Sequence, residues 1–368
     1  MAASGPQMRM RNSFRRGGEK DFTTIRTRPP LPKPYPRTWK NQAKERCPAV
    51  NSVILDDLDQ RLLLALQLDG RAHFSRIARD LDVSERTITR RYQRLRALGL
   101  RVVGQPVASR LGLTRWLLRL HCTPDAAGSI AEALARRSDT YWVTLASGGT
   151  EVYCAFNVRT SDQRNALLLQ KLPHTPQVLS VSAHCMLRIF VGATSTWHAT
   201  RFRPEGAAPA VDSGTPTAAP LPLDPTDRTL FTELARDGRL TLPELATAAG
   251  RSPSSIQRHL DRLRGEGALS FAVDFDTQLL GYHMTTRLWL NVTPAHLRTV
   301  GEALATHPQI AFAAAVTGDS NLVASGIFRD PADLYDYIDQ RISRLSGIQS
   351  IQTAPTLREV KRVAPAVP

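Results

Sequence analysis

The residues best suited to chemistry form a cluster of donors on one helical face. Between residues 84 and 96, Arg86, Thr89, Arg90, Gln93 and Arg94 recur at helical spacing, with Arg91 and Arg96 beside them. Arginine donates bidentately to guanine O6/N7, and Thr and Gln reach other base edges or phosphates. Ser84 and Thr87 open this segment. A second segment carries Ser254, Ser255, Gln257, Arg258, Asp261 and Arg262 in the same arrangement but with less positive charge. Such faces suit the major groove of double-stranded DNA, with weaker or different base contacts from the second.

Helical periodicity predicts the elements that hold the first face. Apolar residues at 58, 62, 63 and 66 predict a helix from Asp56 to Leu68, stopped at Asp69-Gly70. A short helix over Phe74–Leu81 follows, then a turn at Asp82-Val83. Ser84 is a good N-cap, and Glu85 complements the positive end of the third helix, which runs to about Leu98 with Ile88, Tyr92 and Leu95 inward. Residues Leu100 to Val107 are expected to form the wing strands.

The chain repeats itself. A shift of 168 lays Leu55, Asp56, Asp59, Leu62, Leu66, Asp69, Gly70 and Arg71 on Leu223, Asp224, Asp227, Leu230, Leu234, Asp237, Gly238 and Arg239. Ser84, Ile88, Arg90, Arg94, Leu95 and Gly99 likewise meet Ser252, Ile256, Arg258, Arg262, Leu263 and Gly267. Further on, a shift of 170 lays Thr123-Pro124 on Thr293-Pro294 and Gly148 on Gly318. Each half is one copy of the same two-part unit. Its second part reads strand (114–122; 285–292), helix, two strands around a glycine turn (141–146 with 151–158; 310–316 with 321–328), helix (161–172; 331–345) and strand (178–189; 348–357). That order, βαββαβ, is ferredoxin-like. The fold class is therefore α+β: two tandem units, each a winged helix-turn-helix followed by a ferredoxin-like domain. The expected domains are 52–108 and 112–192, then 223–276 and 282–362.

The 368 residues carry a formal net charge of +15, which points to a polyanionic partner. Residues 1–50 hold twelve Lys/Arg against three Asp/Glu, so nine of those charges lie there. That segment, with its Pro29–Pro34 run and few aliphatics, reads as a disordered basic leader. Residues 193–222, rich in Ala, Pro, Gly and Thr from about Pro204, read as a linker. No run of about 18 apolar residues and no apolar signal-peptide region occurs, so a cytoplasmic protein without a membrane partner is expected. The four cysteines (Cys47, Cys122, Cys154 and Cys185) show no C-x-x-C pair, which argues against a zinc ribbon, and no metal or other cofactor is expected.

Residues 52–192 and 220–362 resemble the leucine-responsive/asparagine regulator (Lrp/AsnC) family. The resemblance rests on Leu55-Asp56-x-x-Asp59, on Ser84-x-x-Thr87-Ile88-x-Arg90-Arg91-x-x-x-Leu95-x-x-x-Gly99, and on His307-Pro308-x-Ile310 leading to Thr317-Gly318-Asp319. It implies a DNA-binding transcription regulator and a sensor (RAM) domain that pairs through its sheets into a homodimer or larger oligomer. It also implies an effector, an amino acid or related metabolite, at the glycine turn: Gly148, Gly149 and Glu151 in the first copy, Gly318, Asp319 and Asn321 in the second. The chain departs from the family in having two units and a leader. The turn's usual aspartate is replaced by Glu151 and Asn321, and Ser147-Gly148-Gly149 stands opposite Thr317-Gly318-Asp319. A tetrapyrrole (sirohaem-type) decarboxylase on the same fold is the alternative, but the nine histidines do not recur at matching repeat positions, so no enzyme is expected.

Overall fold

The computed structural model describes residues 55–165, 167–168, 172, 175–192, 197 and 219–362. The basic leader and most of the linker lie outside the described residues.

Each copy begins with three helices: α1 (Asp57–Leu68), α2 (Phe74–Leu81) and α3 (Glu85–Ala97), then α6 (Pro225–Arg236), α7 (Leu242–Ala249) and α8 (Pro253–Gly265). Side-chain caps satisfy the first free amides of α3 and α8: Ser84 Oγ accepts from Thr87 N at 3.2 Å and Ser252 Oγ from Ser255 N at 3.3 Å. The turn before α3 places Asp82 at φ +55°, where the second copy uses Gly250 at φ +62°. Leu62, Leu63, Leu66, Ile77, Ile88 and Leu95 fill the first trihelical core with almost no exposure.

The expected wing does not form within a copy. Each copy contributes one strand, β1 (Arg101–Pro106) or β6 (Leu269–Asp274), and the two pair with each other, antiparallel, from Arg101↔Asp274 to Pro106↔Leu269. After β1 the chain continues into the other copy's core, so that Ala108, Leu111 and Leu113 pack with Leu230, Leu234, Ile256 and Leu263. In return, Val273 and Phe275 join the core of the first copy. A strand with no second wing strand of its own satisfies its amides on its counterpart.

The pairing is locked by contacts that repeat at the 168-residue shift. Arg71 donates to Gly238 O at 2.6 Å and Leu240 O at 2.8 Å; Arg239 donates to Gly70 O at 2.7 Å and Ala72 O at 3.0 Å. Arg96 pairs with Asp237, and Arg264 with Asp69. An approximate two-fold therefore relates the two helix-turn-helix units.

The ferredoxin-like halves are β2 (Thr114–Cys122), α4 (Ala127–Ala135), β3 (Thr140–Ala146), β4 (Glu151–Val158), α5 (Ser161–Asn165) and β5 (Val178–Val191), then β7 (Met284–Val292), α9 (Leu297–Thr306), β8 (Ile310–Val316), β9 (Leu322–Phe328), α10 (Pro331–Gln340) and β10 (Ile348–Lys361). The last strands run past their expected ends at 189 and 357. Their extensions cross: Met186–Val191 pairs with β8, and Thr356–Lys361 pairs with β3. The eight strands close into one barrel, β10-β3-β4-β2-β5-β8-β9-β7, leaving neither sheet a free edge. The sheet pairing expected between sensor domains is thus made inside one chain. Helices cover the outside, and Leu117, Tyr153, Ile189, Trp289, Val316 and Val323 meet inside.

Candidate nucleic-acid interface and sensor turn

The α3 arginines fall into two groups. Asp59 is fully buried on α1. It accepts from Arg94 Nη1 at 2.8 Å and Arg91 Nη1 at 3.2 Å, and Arg91 also bonds Asp56. These two arginines, expected on the DNA face, fasten the third helix to the first. Arg86 and Arg90 are exposed, make no ion pair among the described residues, and share the open face with Gln93. Thr89 lies beside them, its hydroxyl bonded to Glu85 O at 3.0 Å. The hydroxyls of Ser84 and Thr87 bond each other at 2.8 Å at the cap.

The second copy repeats the anchor with a changed partner. Asp227 accepts from Arg262 and, at 2.8 Å, from His259 Nδ1. Burial works to raise the Asp227 carboxyl, but those hydrogen bonds outweigh it and hold the carboxyl below its usual range. Asp224, Asp227 and His259 bring three donor atoms together, yet the Arg262 guanidinium already neutralises the buried carboxylate, so this cluster is an ion pair. Ser254, Gln257 and Arg258 are exposed on α8. Gln257 is held by Asp261 at 2.8 Å, and Ser254 bonds the cap hydroxyl of Ser252 at 3.1 Å. Ser255 sits half-buried at that cap.

The six expected effector residues do not form one open site. Glu151 points into the barrel, where it accepts from Arg119 Nη2 at 2.9 Å and from the Tyr153 hydroxyl. Arg119 reaches across the barrel to Gln352 Oε1 at 3.1 Å and stacks over Trp289. Burial acts to raise the Glu151 carboxyl, but the Arg119 and Tyr153 hydrogen bonds leave it lowered. Burial, with the neighbouring Glu151, pushes the Tyr153 phenol up to about 12. Gly148 and Gly149 turn the chain at φ +71° and +86° near the surface. Gly318 is required by a close approach: at φ +110°, a Cβ there would lie 2.6 Å from His184 Nδ1. His184 Nδ1 bonds Thr317 O at 2.6 Å. Asn321 is held by the backbone of Val292, accepting at 2.9 Å and donating at 2.6 Å. Thr317, Gly318 and Asp319 are exposed at this turn. Sequence reasoning missed Arg119, Tyr153, His184 and Trp289. The signal available was Arg119 and His121 alternating with Leu118 and Leu120, polar residues on a strand face that would otherwise be apolar.

Three family models match within the chain: the AsnC-type helix-turn-helix domain over residues 55–96, winged helix-turn-helix DNA-binding over 223–269, and the Lrp/AsnC ligand binding domain over 287–365. These matches put an Lrp/AsnC-type domain in each copy of the chain. Among its curated relatives, an HTH-type transcriptional regulator of Pyrococcus abyssi (strain GE5 / Orsay) is 28% identical over 141 residues, which cover 38% of this chain and 89% of that protein. The HTH-type transcriptional regulator FL11 of Pyrococcus horikoshii is 27% identical over 38% of this chain and 93% of its own. The leucine-responsive regulatory protein of Rhizobium meliloti is 24% identical, over 38% and 92%. A relative of this kind thus matches about one copy of the Lrp/AsnC unit, where this chain carries two. Among solved structures, the siroheme decarboxylase NirDL spans both copies, covering 84% of this chain and 94% of its own with a TM-score of 0.57 at 13% identity. Its complex with an iron-uroporphyrin III analogue gives a TM-score of 0.58. That likeness is one of fold.

Proposed function

We propose that this Lrp/AsnC transcription regulator binds double-stranded DNA sequence-specifically through α3 and α8, in the cytoplasm, without catalysing a reaction. The carrying observation is the division of labour on α3: Arg91 and Arg94 fix the helix on buried Asp59, while Arg86, Arg90 and Gln93 stand free on the exposed face. Arginines free of internal partners can donate to guanine edges and phosphates without first breaking an ion pair. An amino acid or related small metabolite is the proposed effector, in keeping with the Lrp/AsnC ligand binding domain of the second copy. With Glu151 and Asn321 engaged internally, it would reach the turns through Gly148, Gly149 and Asp319. Such a ligand alters DNA affinity only if it binds two states of the chain unequally. Association of whole chains remains available, through surfaces other than the sheet edges.

Fluorescence anisotropy on DNA from upstream of the protein's own gene, against scrambled DNA across a salt series, tests this reading. Selective binding that falls with salt and is lost in Arg86→Ala/Arg90→Ala supports it. Binding unchanged by that substitution, or supplied by residues 1–50 alone, sinks it. The second reading, a tetrapyrrole decarboxylase, has the two-copy fold likeness in its favour. Against it, Leu117, Tyr153, Trp289 and Val323 fill the barrel interior and would have to move to admit a macrocycle. Purified protein that carries or takes up a tetrapyrrole, seen as visible absorbance, would support that reading.

A further inference from the structure

We infer that one chain occupies a whole operator by itself and that this operator is not a palindrome: its two half-sites differ in sequence and are read in a fixed order. The inference rests on the DNA-binding reading above and specifies its partner.

Two identical subunits related by a two-fold present identical recognition helices, so their operators are palindromic. Here the two-fold is built from unlike copies of one chain. The β1–β6 pairing, the reciprocal Arg71 and Arg239 contacts and the crossed strands of the barrel all join one copy to the other. Each trihelical core also contains residues from the opposite copy. Neither unit is left needing a second chain to complete its pair.

The two reading faces differ at defined places. Under the 168-residue shift, Arg86 corresponds to Ser254, Thr89 to Gln257, Arg90 to Arg258 and Gln93 to Asp261. Only Arg90 and Arg258 match. The first face offers two arginine forks, suited to two guanines, plus an amide that suits adenine. The second offers one fork and a carboxylate, Asp261, which already holds Gln257. A carboxylate accepts from cytosine N4 and is repelled by phosphate, so this half-site requires fewer guanines and binds less tightly. Duplex bound this way has a direction, because the Arg86 half-site and the Asp261 half-site cannot exchange without turning the protein round. The half-sites lie one helical turn, about 10–10.5 bp, or a multiple of it apart.

The test begins with selection of sites from a randomised duplex library by the full-length chain. The best site is then compared with two symmetrised duplexes, one carrying the stronger half twice and the other the weaker half twice. Binding stoichiometry is read by titration well above Kd. The expected results are a non-palindromic consensus, one chain per duplex, and affinity for each symmetrised site reduced at least about 10-fold, the scale of one lost base contact. The surface variant Ser254→Arg/Gln257→Thr/Asp261→Gln copies the outward residues of the first helix onto the second, and it should reverse the preference toward the duplex carrying the stronger half twice. A palindromic consensus, two chains per duplex, or no change of preference in the triple variant overturns the inference while leaving DNA binding intact. If no sequence is enriched, the DNA-binding reading itself fails, and the inference with it.

Discussion

The two groups of arginine on α3 should separate cleanly in experiment. Arg94→Ala removes one charge-assisted hydrogen bond to Asp59, but Arg91 still neutralises that carboxylate. Because the Arg94 side chain is 42% exposed, the full value of a charged hydrogen bond must be discounted, to about 1–2 kcal/mol of stability. Removing Arg91 and Arg94 together orphans a fully buried carboxylate and should cost about 3–5 kcal/mol. Arg90→Ala breaks no internal contact and should leave stability within about 0.5 kcal/mol. It should instead cost about 1–3 kcal/mol of DNA binding, roughly 5–150-fold in Kd, if Arg90 reads a guanine. Thermal melts followed by circular dichroism measure the first quantity. Anisotropy well below the lowest melting midpoint measures the second. The reasoning is refuted if Arg94→Ala, fully folded, loses as much DNA affinity as Arg90→Ala, or if Arg90→Ala lowers the melting midpoint as much as Arg94→Ala.

Three further outcomes are expected. Gly238→Ala should destabilise by roughly 1–3 kcal/mol in chemical denaturation, because its Cβ would sit 3.0 Å from the Val103 backbone and press apart the Gly238 N to Val102 O bond of 2.7 Å. Arg71→Ala and Arg239→Ala should each cost about 2 kcal/mol, with the double variant showing non-additivity in a double-mutant cycle, since both clasp the same interface. His307 is held at about 4, below its usual 6.5, first by burial and then by the Arg341 charge. A lowered histidine contributes stability that is complete above pH 6.5 and is lost as pH falls toward 4, so melting midpoints should decline across that window, and His307→Gln should flatten the decline.

The helices of the reading head were legible because capping residues and apolar period coincide: Ser84 and Gly99 bracket α3, and Ile88, Tyr92 and Leu95 are buried as the spacing requires. The ferredoxin-like strand order was equally readable from alternation and turns. Which of the arginines are tied to a buried carboxylate was not, because at Arg91 and Arg94 the helical wheel cannot tell a free side chain from one that reaches back to Asp59. The matching Asp59/Arg94 and Asp227/Arg262 pairs in the two copies were the available hint. The missing wing was invisible for a different reason. Residues 100–107 have strand character, and nothing in a local pattern says whether the partner strand lies a few residues away or in the other copy. The same holds for the glycine turns, where Glu151 and Asn321 look alike by position but one enters a buried polar cluster and the other splints the Val292 backbone.

The crossing strands also bear on how this chain reaches its native state. Lys361 donates to Thr140, 221 residues earlier, and Arg101 bonds Asp274, 173 residues later. During synthesis at about 5–20 residues per second, the β3 edge would wait roughly 10–40 s for its partner to be made. Until β6 and then β10 are made, β1 and β3 present unpaired amides and carbonyls, the form of surface that recruits other strands. Long-range closure of this kind slows folding, and it makes the nascent first copy a natural client for chaperones and a hazard for exchange of strands between neighbouring chains.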